Sequence, residues 1–188
     1  MIRAPRSQRG ATLIEVLVSL IILMVGLLGL VGVMIQSQRS QVESYQRVQA
    51  LMLVQDIASR ISTNKAAASC YVLASYIGTG NETVPSTSAC TLGTADQQAR
   101  VTQDLTEWRD LLLGAAELSG TDKVGGMLGA RGCVTFDAAT NLYQVSIAWQ
   151  GGGQTAAPPA GVLCGKDLYG DDSQRRAVSL TVMVPSFS

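Results

Sequence analysis

The sequence predicts an α+β fold in which a long N-terminal helix packs on a small antiparallel sheet, beside a second helix and disulfide-held loops. Three observations carry this expectation. An apolar block at 11–35 runs on without a break into a polar segment free of Gly and Pro, a capped amphipathic segment opens at Thr94, and three Val- and Thr-rich stretches occupy the last third. Hydrophobic residues make up 47% of the 188 and charged residues 15%, which excludes a disordered chain. Many of the apolar residues fall in the first block, so the remainder supports one small head.

The block reads ATLIEVLVSLIILMVGLLGLVGVMI, with Glu15 as its single ionisable side chain. As a helix it is about 38 Å long at ~1.5 Å per residue, enough to span a ~30 Å hydrocarbon core. Arg3, Arg6 and Arg9 precede it and predict a single-pass segment with a cytoplasmic N-terminus. A secretory signal would have a shorter apolar core followed by a small-residue cleavage site; here polar helical sequence follows, so any cut comes before the block. Glu15 is costly inside a membrane, on the order of 2.5 to 3.5 kcal/mol at the centre and less near an end. It therefore either stays wet at the headgroups or has a partner. Gly26, Gly29 and Gly32 do not form the G-x-x-x-G dimer pattern and read as ordinary membrane-helix glycines or as points of close packing.

Residues 36–62 continue the helix as an amphipathic half. Val48, Leu51, Met52, Val54, Ile57, Ala58 and Ile61 recur near a 3.6-residue period, opposite Arg39, Glu43, Arg47 and Arg60. One helix from about Thr12 to Ser62 is the result, without the sustained heptads of a coiled coil.

The head is expected over 63–188. Residues 64–93 read as an irregular segment between Cys70 and Cys90, with turn signals at 78–81 and at Pro85. Thr94 and Gln97 form a capping box for a second helix carrying Val101, Leu105, Trp108, Leu111, Leu112, Ala115 and Leu118, with Gly120 as its stop. Trp108 is expected as a core anchor. Strands follow at 133–136, 142–149 and 177–184, three or four in all, with a hairpin turn at 137–141 and an open Gly- and Pro-rich loop at 151–161. Cys70, Cys90, Cys133 and Cys164 all lie beyond the span, where an oxidising compartment favours disulfides. Three pairings are open; joining sequence neighbours, Cys70 with Cys90 and Cys133 with Cys164, closes the shortest loops and is the favoured one.

The stretch Gln8-Arg9-Gly10-Ala11-Thr12-Leu13-Ile14-Glu15-Val16-Leu17 resembles the cleavage and methylation motif of type IV prepilins: a short basic leader ending in Gly, then T-L-I-E-V-L opening an apolar helix. The resemblance implies a leader at 1–10, cleavage by prepilin peptidase between Gly10 and Ala11, and N-methylation of Ala11. The family's usual first mature residue is Phe, where this chain has Ala11. Glu15 matches the family glutamate whose carboxylate pairs with the N-terminal amine of a neighbouring subunit during assembly, and burying two opposite charges together relieves the desolvation each suffers alone. The helix holding Trp108, the stretch 132–136 and the ending 180–185 are most similar to the minor pilin PilV group, the type IV pilus modification proteins. That likeness implies a subunit acting in the initiation, assembly or tip of a pilus that supports adhesion or twitching motility. Its implied partners are other minor pilins, the major pilin, an inner-membrane assembly platform and a tip adhesin. The implied route runs from the inner membrane, with the head in the periplasm, to an extracellular filament. A type II secretion pseudopilin driving protein export shares the same N-terminus, and a membrane-tethered periplasmic binding domain is the third reading.

No enzymatic constellation is present in the sequence. The chain contains no histidine, which excludes Ser-His-Asp and Cys-His catalysis, and it lacks a P-loop and a G-x-G-x-x-G motif. A zinc site is disfavoured because there is no C-x-x-C pair. Asp167, Asp171 and Asp172 lack EF-hand spacing and read as a solvated turn rather than a calcium site. Asn81-Glu82-Thr83 fits a short glycosylation pattern of low specificity. Neither a cofactor nor a nucleic-acid partner is expected; without its leader the chain loses three of 14 basic groups and keeps 14 acidic ones.

Overall fold

A computed structural model describes residues 12–85, 90–120, 122–123 and 125–185. The chain divides into two compact units, Met1–Val42 and Glu43–Ser188. A 51-residue helix, α1 (Leu13–Thr63), crosses that division, as the absence of Gly and Pro after Gly32 allows.

In the first unit, α1 carries an apolar surface. Every Leu, Ile, Val and Met from Leu13 to Ile35 is between 48% and 80% exposed.

The second unit is the head. Its four-stranded antiparallel sheet has the order β1-β4-β5-β6, built from β1 (Ile77–Gly78), β4 (Arg131–Asp137), β5 (Leu142–Gln150) and β6 (Arg175–Met183). A separate two-stranded hairpin joins β2 (Leu118–Ser119) to β3 (Asp122–Lys123). Strands β4 and β5 meet through a tight turn in which Asn141 takes a left-handed conformation, φ 56°. Asp137 organises that turn by accepting from the Ala139 N–H at 2.9 Å and the Thr140 hydroxyl at 2.8 Å. The register, Val134 opposite Val145 and Gly132 opposite Ile147, sends alternate residues to one face. On that face Val134, Tyr143, Val145, Ile147 and Val178 join a core with Ala50, Leu53, Val54, Ile57, Ala58 and Ile61 of α1.

The second helix, α2 (Ala95–Leu112), opens with both halves of the capping box: the Thr94 hydroxyl accepts from the Gln97 N–H, and the Gln97 side chain accepts from the Thr94 N–H. Trp108 is fully buried and donates its indole N–H to the Leu53 carbonyl at 3.1 Å, tying α2 to α1. The sheet leaves room for this ring at Gly132, where a Cβ would stand 2.5 Å from the indole.

Several expectations need correction. Helix α2 ends at Leu112, not near Leu118, and the stop is Gly114 rather than Gly120. Gly114 has φ 95°, and a Cβ there would lie 2.5 Å from the Gly126 nitrogen, so the chain turns back against 125–126. The described part of the segment after α1, 64–85, is more regular than its composition suggests: a 3-10 helix at Lys65–Tyr71 docks against α2, and β1 supplies the fourth strand. The Thr79 N–H bonds the Ala130 carbonyl at 2.8 Å and fixes that edge. On α1 the buried face is Ala50, Leu53, Val54, Ile57, Ala58 and Ile61; Val48, Leu51 and Met52 point outward, 50%, 40% and 63% exposed. Arg60, expected on the solvent face, is half-buried against α2. Strands β4 and β6 each start two residues earlier than their apolar patterns suggested.

Two disulfides brace the loops. Cys70 joins Cys90, Cα atoms 5.5 Å apart and 20 residues apart in sequence, and Cys133 joins Cys164 at 5.8 Å and 31 residues. By loop-closure entropy each contributes roughly 3 to 4 kcal/mol, a large share of a small domain's stability.

Trp108→Ala leaves a cavity where α1, α2 and the sheet meet, and the expected loss is about 3 to 5 kcal/mol, read by chemical denaturation. Gly132→Ala, which drives a methyl group into the same ring, is expected to lower the melting temperature; an unchanged melt would show that the indole can move aside.

Candidate functional site

The candidate site is α1. Its first turn is closed by Thr12, whose carbonyl accepts from the Glu15 and Val16 N–H groups at 3.0 and 3.3 Å, with the hydroxyl a longer second acceptor for Glu15 at 3.4 Å. This places Glu15 in the first helical turn, where the helix dipole favours a carboxylate. Its side chain is exposed and has no ion-pair partner among the described residues. Ser19, the next polar side chain, satisfies its hydroxyl internally by donating to the Glu15 carbonyl at 2.7 Å. Gly26, Gly29 and Gly32 sit in regular helix, and beyond the helix's own backbone and their chain neighbours no atom of the described residues lies within 4 Å of where a Cβ would stand. Gly10 and Ala11, the expected cleavage and methylation positions, lie outside the described residues.

By length and composition, α1 is the one helix among the described residues able to cross a membrane, and none of its apolar window is buried. Burying so many large apolar side chains is worth ~1.5 to 3 kcal/mol each, so water is not a stable environment for this surface.

Within the head unit, α1 is held by a polar clasp as well as by the core. The Arg60 guanidinium bonds Asp56 at 3.0 Å, Asp104 at 2.9 Å, and Glu107. Burial works against the charged guanidinium, but its bonds to Glu107, Asp56 and Asp104 outweigh that and hold its pKa above the ordinary arginine value. The Arg60 bond, with help from Gln103, holds the Glu107 carboxyl below its usual range. Asp104, buried, also accepts from the Tyr71 hydroxyl, and Asn64 donates to the Gln97 carbonyl at 2.9 Å. Burial, followed by the bond to Asp104, pushes the Tyr71 hydroxyl well above the usual tyrosine range. Sequence reasoning missed this cluster; the one available signal was the polar run of Asp104 and Glu107 on a helix otherwise read for its apolar stripe.

The other singled-out residues have structural partners. Asp172 bonds the buried Arg175 guanidinium through both oxygens, and Asp171 caps a short 3-10 turn through the Ser173 N–H at 2.9 Å. Asn81 donates to the Tyr76 carbonyl at 2.6 Å. Among the described residues there is no group of three or more His, Cys, Asp or Glu placed to hold a metal.

A long N-terminal helix packed on a four-stranded antiparallel sheet, with a second helix and two disulfides, is a type IV pilin-like α+β fold. The family pattern described as the prokaryotic N-terminal methylation motif matches residues 5–31, which contain Gly10, Ala11, Glu15 and the start of the apolar helix. No curated protein matches the chain. No solved structure matches it either.

Because the Tyr71 pKa is raised in the folded state, folding favours the neutral phenol. Its contribution is complete below the unfolded tyrosine pKa of about 10 and is lost as pH climbs through and beyond that value. Melting temperature is therefore expected to fall above about pH 10. Tyr71→Phe is expected to be less stable at neutral pH but to show a shallower alkaline decline; an unchanged slope would place the alkaline transition elsewhere.

Proposed function

We propose that the chain is a minor pilin subunit, inserted as a membrane-anchored precursor and packed by α1 into a type IV pilus at its initiation complex or tip. The observation that carries this reading is an apolar helical surface left exposed among the described residues, in a chain that carries the methylation motif at 5–31. Such a surface is stable in lipid or against other apolar helices, and a route from one to the other is what filament assembly requires. On this reading 1–10 is the leader, 11–35 the transmembrane and filament-core half of α1, 36–62 its amphipathic half, and 63–188 the exported head.

Each site residue then has a defined task. Prepilin peptidase cuts between Gly10 and Ala11 and methylates the new amine. Glu15, one helical turn along, pairs with the N-terminal amine of a neighbouring subunit, since an unpaired carboxylate among packed apolar helices bears a desolvation cost that an opposite charge offsets. The partners are other minor pilins, the major pilin and the inner-membrane platform, with a tip adhesin as a further candidate, and the output is adhesion or twitching motility. The likeness of the head to the PilV group supports the minor-pilin assignment. Two disulfides, with Asp171 and Asp172 committed to Ser173 and Arg175, favour the pilus over a calcium-dependent secretion pseudopilin.

Gly10→Ala is expected to leave the chain as full-length precursor in the membrane fraction; mature-sized protein on immunoblot from that variant would refute the cleavage assignment. Glu15→Ala is expected to be cut normally but to fall at least several-fold in sheared filaments relative to the membrane pool. Equal incorporation would remove the charge-pairing step.

A further inference from the structure

The sheet has a second face, which α1 does not cover. On it the register places Cys133 opposite Ser146, and Thr135 opposite Gln144. The disulfide from Cys133 draws the loop after β5 across this face, and together with residues 73–76 it leaves a cavity of about 320 Å³. This lies at the lower end of the ~300 to 1,000 Å³ range of small-molecule sites.

The floor is polar. Ser146 is only 5% exposed and its hydroxyl makes no hydrogen bond among the described residues, while Gln144 is half-buried and Ser75 on the wall is exposed. These groups open onto the cavity rather than being sealed in the core, so solvent or a ligand can bond them. Among the described residues Lys166 is the only charged one lining the cavity; it is exposed, and after Arg175 its charge also acts on the Asp172 carboxyl. Leu163 and Leu168 on the rim are 67% and 42% exposed and give the site an apolar side.

The walls are held in place before any ligand arrives. Arg131 lies between the Tyr76 and Tyr169 rings, 5.2 and 4.7 Å from their centroids, linking the two loops that form the rim. The Leu73 N–H bonds the Val134 carbonyl at 2.9 Å on one side, and the Lys166 N–H bonds the Leu163 carbonyl at 3.1 Å on the other.

The chemistry selects a ligand class. The cavity lies over the face of the sheet and not along a strand edge, and β5 is paired with β4 and β6 along its length, so an extended peptide in the cavity cannot add to it as a strand. Recognition rests on side-chain hydroxyls, an amide and one ammonium beside leucines. That set suits a compact polyol with apolar C–H faces and one carboxylate. We propose that this cavity binds a hexuronic acid or a closely similar acidic monosaccharide unit. Lys166 pairs with the carboxylate, Ser75, Gln144 and Ser146 bond the ring hydroxyls, and Leu163 and Leu168 pack on the ring.

The test uses the full chain in detergent micelles, titrated with glucuronate, glucose and acetate and followed by ligand-observed NMR. Saturable binding of glucuronate is expected, at least tenfold tighter than either comparator. Lys166→Ala, on an exposed turn outside the core, should weaken glucuronate at least tenfold, and Ser146→Val should do the same. Absence of saturable glucuronate binding overturns the proposal, as does acetate or glucose binding equally well. Should Ser146→Val fail to fold, Lys166→Ala decides alone, and unchanged glucuronate affinity in that variant overturns the site. The proposal is independent of the filament reading: a subunit cut and incorporated normally that ignores glucuronate sinks only this inference.

Discussion

The constraint on which the rest depends is the exposure of the first half of α1. From Leu13 to Ile35 the helix satisfies its own backbone hydrogen bonds but leaves its large apolar side chains 48% to 80% exposed. An α-helix is one of the few structures that can pass through hydrocarbon without unpaired backbone groups, so this segment has a stable home in lipid. It has a second among like helices, where packing replaces the acyl chains. Glu15 is the exception in this surface, and its place in the first turn keeps it close to the one end of the helix where an amine or the headgroup region can reach it.

The head solves a different problem, which is to hold one end of that helix firmly. Apolar contact does most of it: Ala50, Leu53, Val54, Ile57, Ala58 and Ile61 pack with the sheet, and Trp108 fills the junction with α2. Burial alone is not directional, and it would tolerate some sliding or rotation of α1. The bonds from Arg60 and Tyr71 to Asp104 are directional, and they tie α1 and the 3-10 helix to the same point on α2. A buried carboxylate such as Asp104 is tolerated because two donors reach it, and removing either leaves charge in a low-dielectric setting. The clasp therefore adds specificity of orientation to the stability supplied by the core.

The opposite face of the sheet is shaped by covalent means. With no helix to cover it, this side is closed by the loop that Cys164 pins to Cys133, over a floor of Ser, Thr and Gln. A small domain that commits one sheet face to a helix has little apolar material left for the other, and a disulfide is an effective substitute. The result is a polar recess rather than a second core.

The sequence by itself determined the elements and the apolar character of the first half of α1. The apolar block, the Thr94 capping box and the Val-rich strands are local patterns, each written within a few residues, and each appears close to its expected bounds. What it did not determine was which face of each element points where. Val48, Leu51 and Met52 fit the same helical period as the buried residues but sit on the other side, because the register of α1 against the sheet is set by Trp108, Gly132 and Asp104, the partner of Arg60, all distant in sequence. The early stop of α2 at Leu112 follows from Gly114 meeting 125–126, and the 3-10 helix and β1 exist because a neighbouring strand and helix supply their bonds. These are decisions of tertiary contact: local propensity gives each segment a shape, and only burial against a partner fixes its end and its orientation.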